Sequence, residues 1–248
     1  MKYLYEVYER LPRCGPGGDP HTRRAYEACG NVPECPRILD IGCGPGAQSL
    51  ELARLSKGTV LALDNHRPFL DTLEDRARET GLSGHIETVH RSMLEMDFSE
   101  ASFDLIWSEG ALYFLGFESG LKTCHRMLKP GGAFAATEAV YIQPDIPPEV
   151  SDFWDAEYPD IASIDEKCAV VERSGLTLID HFTLPAEAWI EQFYAPMAET
   201  LDEREAFHHG NTAAMEALAG LRSEIAFFDR YSDFYGYEFF VAQKPQKR

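Results

Sequence analysis

The chain has 248 residues, with 41 acidic against 23 basic side chains and a formal charge of −18. That balance argues against duplex DNA, tRNA or anionic lipid as the main partner, because phosphate binding draws on Lys and Arg. Apolar residues at 44% and aromatics at 12% supply a sizeable core and exclude a disordered chain. The length suits one α/β domain, with or without an insertion. No apolar run approaches the ~20 residues of a membrane span. Glu6, Glu9 and Arg10 stand where a signal peptide needs an apolar stretch. A cytoplasmic location and no membrane partner are therefore expected. Six cysteines, at 14, 29, 35, 43, 124 and 168, form no C-x-x-C pair, so neither disulfides nor a metal site is expected.

Tyr3, Leu4, Val7 and Leu11 share one helical face. The breaker Gly15-Pro16-Gly17-Gly18 follows, then a short helical stretch from Thr22 to Cys29. Residues 1–35 read as a helical arm. Strand and helix patterns then alternate. Strands are expected at Arg37–Ile41, Thr59–Leu63, Ile86–His90, Phe103–Trp107 and Ala133–Thr137. Helices are expected up to Leu55, from Pro68 to Thr80 and from Glu118 to Leu128, the last stopped by Lys129-Pro130-Gly131-Gly132. This alternation implies a parallel sheet with helices on both faces. Gln143 to Glu149, rich in Pro and acid, reads as a loop. A helix over Asp165–Ser174 precedes strands at Leu176–Leu184 and Glu238–Ala242. The stretch from Ala186 to Tyr235 is helical and aromatic.

The segment Ile38 to Gly46 carries the chemistry. An apolar strand runs into three alternating glycines and then a helix. Such glycines permit a tight turn and close approach of a ligand, and the N–H groups of the turn and helix start can hold a carboxylate or phosphate. Asp64, 22 residues beyond Gly42, ends the second strand, where an acidic side chain can accept both hydroxyls of a ribose. Gly42, Gly44 and Ala47 also satisfy a loose dinucleotide pattern. Asp40 discriminates. It can reach the cationic amino group of an amino-acid ligand, whereas a pyrophosphate gains nothing from a carboxylate there.

The run Leu39-Asp40-Ile41-Gly42-Cys43-Gly44-Pro45-Gly46 resembles the first motif of the class I, Rossmann-like S-adenosylmethionine-dependent methyltransferases. Leu63-Asp64, Phe103-Asp104-Leu105-Ile106-Trp107 and Leu128-Lys129-Pro130-Gly131-Gly132 agree with later family motifs in order and spacing. The run Phe103–Tyr113, with Asp152-Phe153-Trp154 and Tyr235-Gly236-Tyr237, is similar to a bacterial small-molecule subgroup near the type 11, ubiquinone-biosynthesis-like enzymes. The resemblance implies a doubly wound seven-stranded sheet, mostly parallel, with an antiparallel last strand. It implies S-adenosyl-L-methionine as methyl donor and S-adenosyl-L-homocysteine as product. Cofactor-binding residues would be Asp40, at the ammonium, Gly42, Cys43, Gly44 and Gly46, at the methionine moiety, and Asp64 with Asn65, at the ribose. Many family members carry Gly-Asp-Met after the third strand; here Arg91-Ser92-Met93 leaves Ser92 and Met93 for the adenine without the charge.

By the same resemblance, Glu109 lies where the transferred methyl group should be. It is a general base, a site for a cationic acceptor, or a residue that holds only cofactor or backbone. Tyr113 and Phe114 line the acceptor pocket or belong to the core. The catalytic candidates are Glu109 and Tyr113, and the substrate-pocket candidates Tyr113, Trp154, Trp189 and Tyr194. The chain lacks the Asn/Asp-Pro-Pro-Tyr/Phe sequence of amino-methylating DNA and glutamine enzymes, which points to a small-molecule acceptor. His208-His209 lacks a third metal ligand nearby and reads as solvated surface. The expected organisation is an arm over 1–35, a methyltransferase domain over 36–185 and 236–248, and an inserted helical lid over 186–235. The insertion either walls the acceptor site or forms a homodimer interface. Two rivals stand beside the enzyme reading: a cofactor-binding sensor or partner subunit, and a nicotinamide-dependent oxidoreductase, against which Asp40 and Lys129–Gly132 speak.

Overall fold

The computed structural model describes residues 1–246. The final two positions of the expected segment 236–248 lie outside the described residues. Helices α1 (Lys2–Tyr8) and α2 (Asp19–Ala28) form the arm. The sheet then begins with β1 (Arg37–Ile41), α3 (Ala47–Ser56), β2 (Thr59–Asp64), α4 (Arg67–Glu79) and β3 (Ile86–His90). It continues through β4 (Phe103–Ser108), α5 (Phe117–Met127) and β5 (Leu128–Tyr141). After α6 (Pro148–Glu157) come the two-residue β6 (Ala162–Ser163), α7 (Ile164–Arg173) and β7 (Thr177–Thr183). The insertion folds as α8 (Ala186–Trp189), a π-helical turn (Ile190–Tyr194), α9 (Ala195–Phe207) and α10 (Thr212–Tyr231), and β8 (Tyr235–Gln243) closes the sheet.

The strand order is β3-β2-β1-β4-β5-β8-β7. Strands β1 to β5 pair in parallel, and β8 runs antiparallel to both β5 and β7. The seven expected strands make up this path; the short β6, absent from the sequence reading, pairs with the end of β5. Alternating side chains divide the central strands between two cores, as period two requires. Ile38, Val60, Leu105, Trp107 and Phe239 face α2 and α3, while Leu39, Leu61, Ile106, Phe134 and Phe240 face α5 and α7. A third core joins α1, the insertion and the ends of β5 and β8 through Val7, Leu11, Phe193, Met197, Leu218 and Phe228.

Two local readings change. The expected loop at 143–149 ends in α6, because Pro148 takes the first helical position, where a missing N–H costs nothing. Strand β5 runs to Tyr141 rather than Thr137, because Tyr235 and Gly236 of β8 pair with its far end. The sheet's order reverses between β1 and β4, so the carboxyl ends of these strands open the crevice where ligands bind in such sheets.

Candidate functional site

Two adjoining cavities lie over that edge. The first, of about 420 Å3, spans the glycine turn, Asp64, Asn65, Ser92, Met93 and Glu109. The second, of about 720 Å3, is walled by the insertion, α6 and the end of β8. They share Leu4, Tyr8, Cys14, Gly15, Gly110 and Tyr113. Strands β1, β2 and β4 thus bring together Gly42, Cys43, Gly44, Asp64 and Glu109, which are far apart in sequence.

The glycine turn differs from its expected use. Its N–H groups are spent internally: Gly42 and Cys43 donate to Leu63 O at 2.8 and 3.0 Å, and Gly46 to Cys43 O at 3.0 Å. Gly44 N donates to Asp64 Oδ2 at 2.9 Å. Gly42 lets Ala111 pack close, since a Cβ there would stand 2.4 Å from Ala111 Cβ, while Gly44 supplies room. A Cβ on Gly44, which has φ +54°, would meet only Cys14, at 3.7 Å, so the open side of the turn belongs to the cavity. Gly46 is a correction. It does not line the cavity; a Cβ there would stand 2.1 Å from Leu73 Cδ1, so the residue serves the packing of α3 on α4.

Asp40 is a second correction. It is fully buried and lies outside the cavity lining. Its carboxylate accepts from Ser49 Oγ at 2.5 Å and Gln48 Nε2 at 3.4 Å. Burial pushes its carboxyl up to about 7, against the pull of the Ser49 hydrogen bond. Gln48 reaches the cavity instead, and also donates to Cys43 O at 3.2 Å. Asp40 therefore supports the turn from below. Asp64 faces the cavity. It accepts from Gly44 N and, at 2.8 Å, from His66 N. Burial raises its carboxyl despite those backbone donors, and each oxygen retains a second lone pair for a ligand hydroxyl. Ser92 caps the short turn Met93–Glu95 through Leu94 N.

Glu109 does not stand ready as a base. Its carboxylate accepts from Arg13 Nη2 at 2.6 Å, Thr22 Oγ1 at 2.7 Å and Trp107 Nε1 at 2.8 Å. It latches both arm segments onto β4. Arg13, which the sequence reading missed, also spends Nε on Gly15 O and Nη2 on Pro16 O. Gly17 exists for it: a Cβ there would meet Arg13 Nη2 at 2.5 Å. The signal was the four-residue breaker itself, which folds the chain around a guanidinium. Arg76 Nη1 ties the arm at Pro12 O (2.8 Å) to the glycine turn at Pro45 O (3.1 Å). Glu6 pairs with His208 Nε2 at 2.6 Å, joining arm to insertion, so His208 departs from the solvated role expected of it. Among the described residues, no group of three or more His, Cys, Asp or Glu side chains is placed to hold a metal ion.

Tyr113 stands in both cavity walls. Burial pushes its phenol up to about 12, reinforced by Glu224, Glu138 and Glu157. It keeps its proton near neutrality and can donate a hydrogen bond. Trp154, Trp189 and Tyr194 all line the second cavity. Trp189 stacks on Phe228 at 4.7 Å, and Trp154 meets Tyr235 edge-on at 5.1 Å. The aromatic set is thus core on one side and cavity wall on the other.

Residues 38–132 match the family described as a methyltransferase domain. The methyltransferase GfsG of Streptomyces halstedii is 27% identical over 66% of this chain and 60% of its own length. A sterol 24-C-methyltransferase of Eremothecium gossypii is 34% identical over 104 residues, 42% of this chain. The chain spans only 28% of that relative's length. Among solved structures, a methyltransferase from Geobacter sulfurreducens in complex with S-adenosyl-L-homocysteine superposes with a TM-score of 0.84 at 19% identity. That match covers 98% of this chain and 97% of the other. The [4+2]-cyclase SpnF gives 0.77 at 22% identity, over 99% of this chain and 93% of its own. The doubly wound sheet with its antiparallel last strand is the fold these proteins share.

Proposed function

We propose that this chain, whose residues 38–132 match the methyltransferase-domain family, transfers a methyl group from S-adenosylmethionine to a small, largely apolar acceptor. The observation that carries the reading is the joined pair of cavities. One has the glycine turn and Asp64, the other an aromatic wall, and they meet at Gly110 and Tyr113. The cofactor supplies a methyl group on a sulfonium, already a strong donor.

The chain's own residues bind, align and exclude water. Asp64 accepts the ribose hydroxyls. Gly42, Cys43 and Gly44 let the ligand approach the backbone, and Gln48, held by Asp40, lies beside them. Arg13 keeps Nη1 beyond its bonds to the arm and Glu109, which suits it to the ligand's carboxylate. Asn65 lies beside Asp64 at the ribose, and Ser92 and Met93 bound the adenine end, with Met93 packing on the ring. Tyr113 stands between donor and acceptor and orients the acceptor by donating its hydroxyl. With Glu109 engaged by three donors, catalysis rests on alignment and desolvation rather than on a base at that position.

The net charge of −18 supports a small molecule over nucleic acid. No described helix is long and apolar enough to cross a membrane, and six free thiols suit a cytoplasmic setting. The insertion directs its aromatic face into the arm and the cavity, which favours the lid role over a homodimer contact. The second reading, a cofactor-binding protein without transferase activity, draws on the same missing base and on the cyclase that shares the fold. Label from methyl-tritiated S-adenosylmethionine should pass to an extracted small molecule. Tight binding of S-adenosylhomocysteine with no transfer to any metabolite fraction would favour the second reading.

A further inference from the structure

The aromatic cavity has one sign of charge. Its ionisable wall residues, tyrosines and Cys14 aside, are Glu157, Glu216 and Glu224, with no Lys, Arg or His among the residues that line it. Glu157 and Glu216 are exposed at its rim. Glu224 is more deeply placed, and Tyr194 OH donates to its Oε1 at 3.0 Å. Gly220 lies one helical turn before Glu224 on the same face of α10. Gly220 is exposed, and a Cβ there would meet nothing within 4 Å, so this stretch of the wall is open.

From these features we infer that the acceptor carries a cationic amine on an apolar body and that Glu224 is the counter-ion that selects it; the ammonium, having no lone pair, is the recognition group and not the atom that receives the methyl group. The inference rests on the reading of this cavity as the acceptor site. A carboxylate among aromatic rings without a cationic partner is costly unless a ligand supplies the charge. Burial raises its carboxyl, and Glu157 adds to the rise against the Tyr194 hydrogen bond; a bound ammonium offsets that cost. The rings of Trp154, Trp189, Tyr194 and Tyr235 in the same wall suit a cation as well as an apolar body. The two rim glutamates favour entry of a cation and oppose a carboxylate or phosphate. A separate observation also points to a ligand: the buried Nε1–H of Trp154, in the same wall, has no hydrogen-bond partner among the described residues. An acceptor bearing an oxygen or ring nitrogen besides its amine would satisfy it.

The test uses the full chain saturated with S-adenosylhomocysteine and three probes of one shape: 3-phenylpropylamine, 3-phenylpropanol and 3-phenylpropionate. Calorimetry should rank the amine about tenfold tighter than the alcohol, the order of a desolvated cation–π and ion-pair advantage, with the carboxylate weakest. Glu224→Gln should bring amine and alcohol to the same affinity, with S-adenosylhomocysteine binding as the check that the variant is folded. If that variant does not fold, the ranking on the unaltered chain still decides. The inference is overturned if the alcohol or carboxylate matches the amine, if the amine's advantage survives Glu224→Gln, or if none of the three binds at millimolar concentration. Failure to bind S-adenosylhomocysteine at the outset would instead sink the cofactor reading.

Discussion

Asp40 is sealed beneath the glycine turn with Ser49 and Gln48 as its donors, and its carboxyl is raised to about 7. An unfolded Asp titrates near ~3.9. Between those values the folded chain holds a proton that the unfolded chain has released. The resulting stability is full below about pH 4 and is lost as pH rises through about 7. Asp40→Asn has no such proton. The stability advantage of the unaltered chain over Asp40→Asn should therefore be larger at pH 5 than at pH 8, read from urea midpoints. An equal gap at both values would mean that Asp40 stays charged when buried. Asp64 calls for a ligand measurement. Asp64→Ala should weaken S-adenosylhomocysteine by roughly 1–3 kcal/mol, the scale of hydrogen bonds to a charged group. Asp64→Asn should lose less, because its carbonyl still accepts. Unchanged affinity in a folded Asp64→Ala would show that the ribose contact lies elsewhere.

At the scale of elements, a buried ion pair is among the ties that hold the arm. Arg13 and Glu109 are almost wholly enclosed, with side chains 6% and 1% exposed. Truncating one partner of such a pair costs about 3–5 kcal/mol, because the other charge stays buried. Arg13→Ala should free the arm to limited proteolysis and weaken S-adenosylhomocysteine, since Leu4, Tyr5, Tyr8 and Cys14 wall its cavity from that arm. An arm that remains protected would place the latch in the Arg76 and Glu6–His208 contacts instead. Helices α3 and α4 meet at Gly46. Gly46→Ala puts a methyl group against Leu73 and a left-handed φ of +85° on an alanine. It should lower the melting temperature, and Leu73→Ala should recover the steric share of that loss but not the backbone share. Strict additivity of the two changes would show that the helices do not meet there.

At the scale of the whole molecule, 18 uncompensated negative charges repel one another. Raising ionic strength from low to physiological shortens the reach of that repulsion to ~8 Å. Thermal stability should rise with salt. A fall would mean that the surface pairs, such as Arg67 with Asp71 and Glu74, outweigh the net charge. The third core sets the larger geometry. Val7 and Leu11 of the arm pack with Phe193, Met197 and Leu218 of the insertion, so two segments nearly 200 residues apart form one cover over the crevice. The second cavity therefore exists only when both are in place.

Seven of the eight strands, their alternation with helices, and the place of the glycine turn and Asp64 were legible in the sequence. Those features follow from local rules: short apolar runs at Arg37–Ile41 and Phe103–Trp107 that suit strands buried on both faces, glycine where φ is positive, and an acid at a strand end. The sequence also marked 186–235 as an aromatic helical insertion, since Trp189, Phe193 and Met197 recur at helical spacing. Tertiary structure decided the rest. Whether Asp40 faces a ligand or the underside of a turn depends on Gln48 and Ser49, which α3 brings back over it. Whether Glu109 is a base or a latch depends on Arg13, 96 positions away. Whether Glu224 sits on a solvated helix face or beside an aromatic cavity depends on α6, α10 and β8 packing together. A side chain's type is local, but its partners and its exposure to water are set by chain closure. Those partners decide which of its possible chemistries remains.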